Sequence, residues 1–106
     1  MRKEYVDALM ELVNEKEEMV IKLKEKLNSL SDEYFRLSIL FALAPVEMYD
    51  DEGNLLTYYE YQRTLKGRIS VRMDDVAQKQ DEIEAVIVDN VNAILAMRKE
   101  IENYGK

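Results

Sequence analysis

Residues 3–43 contain neither proline nor glycine, and this long uninterrupted segment constrains the fold more than any other feature. Apolar side chains recur along it at steps of three and four residues, which places them on one face of an α-helix. These side chains are Leu9, Leu12, Met19, Leu23, Leu27, Leu30, Tyr34, Leu37 and Phe41. The segment therefore predicts one helix, continuous or kinked, with a length of about 60 Å at the usual helical rise.

A second long helix is predicted over residues 57–104. Thr57 followed by Glu60 is a capping box, in which each of the two side chains accepts a hydrogen bond from the other residue's backbone N–H. Beyond this start, apolar residues keep helical spacing from Leu65 to Tyr104. Both signals indicate that the return segment is helical along its whole length.

One passage of the return segment allows a different interpretation. Residues 68–74, with the sequence RISVRMD, alternate apolar and polar side chains as a half-buried strand does, and Gly67 precedes them. A short β-hairpin within residues 55–73, followed by a helix, would fit this alternation. The fold would then be helix–short β-hairpin–helix, a shape similar to prefoldin subunits, although the chain carries no prefoldin motif.

The connector between the two helical segments, residues 44–56, reverses the chain. It contains the only proline, Pro45, whose ring cannot continue a helix. Within it, the sequence DDEGN at residues 50–54 is typical of a reverse turn in which Gly53 or Asn54 adopts a positive φ. The connector is therefore predicted to be a tight turn between two helices.

Together these segments predict an all-α fold, a long antiparallel, coiled-coil-like helical hairpin that forms a single domain over residues 1–106. Folding about residue 50 would pair position i with roughly position 100 − i. The apolar content of 47% argues against disorder. No apolar run approaches the roughly 18 residues that a membrane span requires, so no membrane contact is predicted.

The apolar surface is wider than a two-helix hairpin can cover. A helix with so broad an apolar face needs more than one neighbour, and a homodimer that forms a four-helix bundle would supply it. The candidate residues for this oligomer interface are Val6, Met10, Val13, Val86, Val88 and Leu95. We therefore expect a homo-oligomer, with the dimer as its simplest form.

The charge distribution is uneven and excludes several classes of function. The chain has a net charge of −7, which argues against a nucleic-acid surface. The connector carries Glu47, Asp50, Asp51 and Glu52 without any basic residue, so more than half of the excess negative charge lies there. With no histidine and no cysteine, the chain lacks the usual catalytic nucleophile systems and zinc ligands, and no cofactor or metal is predicted.

The connector is also the best candidate for contact with another protein. Tyrosine and methionine are favoured in protein interfaces, and both cluster here beside the acidic residues. The candidate residues for partner binding are Met48, Tyr49, Asp50, Asp51, Glu52, Leu55, Tyr58 and Tyr59. A simpler interpretation is that the tyrosines only close the end of the hairpin, and both interpretations remain open.

The sequence thus favours a non-enzymatic protein-interaction module, such as an adaptor, inhibitor or assembly factor, that acts as a helical oligomer. The absence of cysteine and of a signal peptide suggests the cytoplasm. Small acidic helical proteins of this kind are common in viruses and mobile elements, an association that suggests such an origin. A prefoldin-like chaperone hairpin is one alternative. The other is a Mg²⁺-dependent all-α enzyme that uses carboxylates, drawn from Glu11, Glu15, Glu18, Glu47 and Asp50.

Overall fold

The computed structural model describes residues 2–104 and contains three helices. These are α1 (Arg2–Leu43), α2 (Tyr58–Arg63) and α3 (Leu65–Tyr104). The long helices α1 and α3 pack against each other as a hairpin, so the predicted all-α helical hairpin is confirmed. Among the described residues, none of these elements has the combination of length and apolar character that crossing a membrane requires.

The alternative interpretation with a β-hairpin in residues 55–73 is wrong. Residues 68–74 lie inside α3, and the described part of the chain contains no named strand. The reason is the helical phase of the apolar positions, because Ile69, Met73 and Val76 follow one another at steps of four and three. Val76 is fully buried. The alternation of apolar and polar side chains over residues 68–74 therefore does not reflect a strand, because Ile69 and Met73 lie on one face of a helix.

The predicted continuous return helix is interrupted at Thr64, which separates α2 from α3. Thr64 has extended backbone angles, φ −70° and ψ 162°. Its hydroxyl donates to the carbonyl oxygen of Tyr61 at 2.6 Å and accepts from the N–H of Gly67 at 3.0 Å. One threonine therefore caps the end of α2 and the start of α3, which explains why the break is stable although the apolar spacing continues through it.

Gly67 is required by the close approach of the two helices at this break. A Cβ atom at Gly67 would lie 1.9 Å from the carbonyl oxygen of Tyr61 and 2.8 Å from the Cα of Gln62. Both atoms belong to the backbone and cannot move aside as a flexible side chain would. The space at residue 67 therefore admits only a hydrogen atom in place of a side chain.

The contacts divide the chain into two compact units, and unit 1 comprises Met1–Asn28 and Asp81–Lys106. Its core is formed by Val13, Val20 and Ile94, against which partly buried apolar side chains pack. Asn90 is buried beside this core; its amide donates to the carbonyl of Val86 at 2.8 Å, and its side-chain oxygen accepts from Lys16 at 3.4 Å. The buried amide is thus hydrogen-bonded, as a polar group in a core must be.

Unit 2 comprises Ser29–Gln80 and contains its own buried residues, Leu30, Ala44 and Val76. Exposed polar contacts also join α1 to α3 in this unit. The Arg72 guanidinium donates to the Glu33 carboxylate, with Nε–Oε1 at 2.8 Å. Because this ion pair is largely exposed, it fixes the alignment of the helices more than it stabilises them.

The observed pairing of the helices corrects the predicted register. Folding about residue 50 would have placed Glu33 beside residue 67 and Tyr5 beside residue 95. In the structure Glu33 binds Arg72, and Tyr5 donates to Glu100 at 3.2 Å. The return helix is therefore displaced by at least five residues from the predicted pairing, largely because the bridge between Tyr49 and Leu55 centres the chain reversal on residue 52 and not on residue 50.

Candidate functional site

The connector begins where α1 ends. Leu43 is the last residue of α1, and the N–H of Ala44 still donates to the carbonyl oxygen of Leu40 at 2.9 Å. Ala44 is buried, whereas the next residue, Pro45, has no N–H to continue the ladder. The predicted end of the first helix is thus confirmed, and the chain leaves the helix at a fixed point.

The turn of the connector is held by Asp50 and Gly53. The Asp50 carboxylate accepts the N–H groups of Glu52 at 3.0 Å and Asn54 at 2.9 Å. Gly53 has a φ of 82°, as predicted, and its N–H donates to the carbonyl oxygen of Asp50 at 3.0 Å. Asp50 is therefore engaged in the turn itself, while Asp51 and Glu52 remain exposed.

Beside the turn, two short extended segments run antiparallel. Tyr49 and Leu55 form an isolated antiparallel bridge, and the N–H of Leu56 donates to the carbonyl oxygen of Met48 at 2.8 Å. Tyr49 is nevertheless 66% exposed and Leu55 64% exposed. The backbone thus holds two large apolar side chains in place without covering them.

The start of α2 adds two further exposed tyrosines. Thr57 and Glu60 form the predicted capping box: the Thr57 hydroxyl accepts the N–H of Glu60 at 3.2 Å, and the Glu60 carboxylate accepts the N–H of Thr57 at 3.3 Å. Tyr58 and Tyr59 follow immediately, and both are exposed. The guanidinium of Arg63 lies over the ring of Tyr59, 5.4 Å from its centroid, which restricts that ring.

The structure adds residues that the sequence reasoning did not select. Leu43 is 78% exposed and Val46 67% exposed, directly before the turn. For Leu43 the sequence signal was the apolar run ILFAL at residues 39–43, which exceeds what one helical face can bury. Val46 stands alone after Pro45 and carries no such signal. We call the exposed side chains of residues 43–59 the connector surface; its large apolar members are Leu43, Val46, Met48, Tyr49, Leu55, Tyr58 and Tyr59.

An acidic cleft of about 580 Å³ lies between the connector surface and α2. Its charged lining consists of Glu47, Asp50, Asp51, Glu60 and Arg63. Four carboxylates face one guanidinium here, so the cleft is acidic although it adjoins apolar side chains. Such a combination can accept an apolar side chain of a partner beside a basic one.

The candidate residues for the oligomer interface lie in unit 1, but they are not equivalent. Met10, Val86, Val88 and Leu95 are exposed, and Val6 is partly buried. Val13 is only 6% exposed because it belongs to the core of unit 1. Val13 can therefore contribute to a contact with a second chain only from the bottom of a groove, whereas the exposed residues project from the surface.

The acidic residues of α1 do not form a metal-binding group in the described residues. Glu11, Glu15 and Glu18 are each exposed on α1. Within residues 2–104, no group of three or more acidic residues has an arrangement that could hold a metal ion. The hypothesis of a Mg²⁺-dependent carboxylate enzyme stays a prediction.

Comparison with protein-family models, with curated proteins and with solved structures found no match to this chain.

Proposed function

We propose that this protein is a non-enzymatic interaction module whose connector surface docks another protein. The observation that carries the proposal is the bridge between Tyr49 and Leu55, which presents two exposed apolar side chains on a hydrogen-bonded backbone. Apolar side chains exposed in a contiguous group mark interaction sites in monomeric proteins. A turn held in advance also reduces the entropy that docking would otherwise cost.

The charges of the connector indicate the kind of partner. Glu47, Asp51 and Glu52 lie among the apolar residues of the connector and are exposed, and their carboxylates do not hold the turn as that of Asp50 does. A partner with an apolar patch and a basic rim would complement this surface. Because rim charges act mainly on the association rate, the association should slow as the salt concentration rises.

A capture experiment with matched variants tests the proposal. The tagged protein, its Y49S/L55S variant and a Met19→Ser control would be incubated with native lysate of the source cells. Met19 is an exposed apolar residue of α1 in unit 1, so the control removes a similar side chain away from the connector. We expect a specific protein to be retained by the wild type and by the control and to be lost with the double variant.

The double substitution should leave the fold intact because both residues are exposed, and circular dichroism would verify the helix content. The captured protein should then bind the purified wild type with an affinity that falls by at least about tenfold in the double variant, as loss of interface side chains of this size predicts. Equal capture by wild type and Y49S/L55S would show that the connector surface is not the docking site.

A further inference from the structure

One flank of unit 1, on the side that carries Met10 and Arg98, is an open groove between α1 and α3. The groove has a volume of about 410 Å³, and its floor is formed by Met10, Val13 and Ile101. The ion pair between Glu17 and Arg98 crosses it. We call this side of unit 1 the open flank.

Helical spacing extends the open flank beyond the groove. Leu95 lies three residues before Arg98 on α3, and Ile21 lies four residues after Glu17 on α1, so both lie on the side of the groove. Leu95 and Ile21 are each 58% exposed. The open flank therefore combines a groove with a projecting leucine one helical turn away.

The opposite flank of unit 1 is spanned by the chain's own side chains. The Tyr5 hydroxyl donates to Glu100, and the Tyr5 ring contacts the Tyr104 ring edge-on at 5.1 Å between centroids. Further along, Lys16 donates to Asn90 at 3.4 Å. These contacts cover the seam between the helices there, so the open flank is the better surface for a further helix pair.

The charges of the open flank allow a second copy to approach, although the chain as a whole has a net charge of −7. The charged residues that line the groove are Glu17, Arg98 and Glu102. One base and two acids give this surface a net charge of −1, against four acids without a base in the connector. Two copies facing each other here would experience much less repulsion than two facing connectors would.

The size of the open flank also matches what a dimer needs. Two adjacent helices about 10 Å wide over roughly twenty residues give a projected area of about 600 Å². Stable protein interfaces bury at least about 600 Å² on each partner. A contact confined to the open flank therefore reaches the lower end of the range for a stable dimer.

We propose that the open flank binds the open flank of a second copy of this chain, so that Leu95 of each copy packs into the groove of the other. A two-fold arrangement requires such a surface, in which a projecting residue and its receiving groove lie side by side. The four helices of the two units 1 then form a bundle. The contact is separate from the connector surface, so either proposal can fail without the other.

Sedimentation velocity and light scattering from low micromolar to several hundred micromolar concentration would test this dimer. We expect the wild type to reach the mass of two chains. In Leu95→Glu, a carboxylate would be buried in the partner's groove, so the dissociation constant should rise at least about 100-fold. The control is Met19→Glu, since Met19 is similarly exposed, 49%, but lies three residues after Lys16 on the opposite flank. This control should dimerise as the wild type does.

Cross-linking gives a second readout, because the chain contains no cysteine of its own. A mixture of Leu95→Cys and Met10→Cys proteins should form a mixed disulfide on mild oxidation, whereas Leu95→Cys with Met19→Cys should not. A monomer mass at every concentration would overturn the proposal, and so would an assembly of three or more chains. Unchanged association of Leu95→Glu with intact helix content, or equal weakening by Met19→Glu, would also overturn it.

Discussion

At the scale of single residues, Gly67 illustrates how packing can reverse an intrinsic preference. Alanine is favoured over glycine inside a helix by about 1 kcal/mol, so propensity alone predicts that Gly67→Ala stabilises α3. The Cβ of that alanine would meet the backbone of Tyr61 at 1.9 Å. We expect Gly67→Ala to lower the free energy of unfolding by about 2 kcal/mol or more, since overpacking against backbone forces the helices apart.

Gly53 provides the comparison, because its constraint is conformational rather than spatial. A Cβ at Gly53 would meet nothing within 4 Å, but its φ of 82° is costly for other residues. Gly53→Ala should therefore lower the unfolding free energy by about 1 kcal/mol, less than Gly67→Ala does. Urea denaturation followed by circular dichroism would measure both; a neutral or stabilising Gly67→Ala would contradict the close approach of α2 and α3.

At the scale of the elements, the break between α2 and α3 depends on the hydroxyl of Thr64. Thr64→Ala removes the acceptor for the N–H of Gly67 and the donor to the carbonyl oxygen of Tyr61. We expect this change to lower the unfolding free energy by about 1 kcal/mol, the usual cost of a lost helix cap. Thr64→Ser keeps the hydroxyl and should remain within a few tenths of a kcal/mol of the wild type in the same urea titration. An equal loss in both variants would show that the threonine methyl group, and not the cap, is what matters.

Most features of the helices and the turn could be predicted from the sequence, but the break in the return helix could not. The long helices, the end of α1 before Pro45, the capping box at Thr57 and the positive φ of Gly53 were all predictable, because each depends on neighbours within a few residues. The break at Thr64 was not, since the apolar spacing runs through it and the capping hydroxyl looks like any other threonine. The register was displaced because the backbone pairing across the turn centres the reversal on residue 52, whereas the sequence placed it at residue 50.

The connector surface was predictable only in part for the same reason. Its tyrosines and acids stand out in the sequence, but whether they are covered depends on which helix face lies opposite. Leu43 and Val46 were missed because the sequence does not show whether an apolar side chain is covered, and in the structure both are exposed. Val13, in contrast, was predicted for an interface and lies in a core, because only the packed helices show which side of α1 faces α3.

At the scale of the whole molecule, the isolated chain buries little apolar surface. Among the described residues, the buried apolar side chains are Val13, Val20, Leu30, Ala44, Val76 and Ile94, while 23 large apolar side chains are exposed. We expect a chain of 106 residues with so small a core to be only marginally stable by itself. Much of its stability should then come from the surfaces it covers on association.

The melting temperature should therefore depend on protein concentration. If folding is coupled to dimerisation through the open flank, mass action raises the midpoint by about 3–5 °C for each tenfold increase in concentration. Calorimetry at three concentrations would measure the dependence, and Leu95→Glu should abolish it and melt at a lower temperature throughout. Because Leu95 is exposed in the single chain, a lower melting temperature in that variant reflects the lost contact with the second copy. A wild-type midpoint that stays constant across the concentrations would mean that the single chain is stable without a second copy.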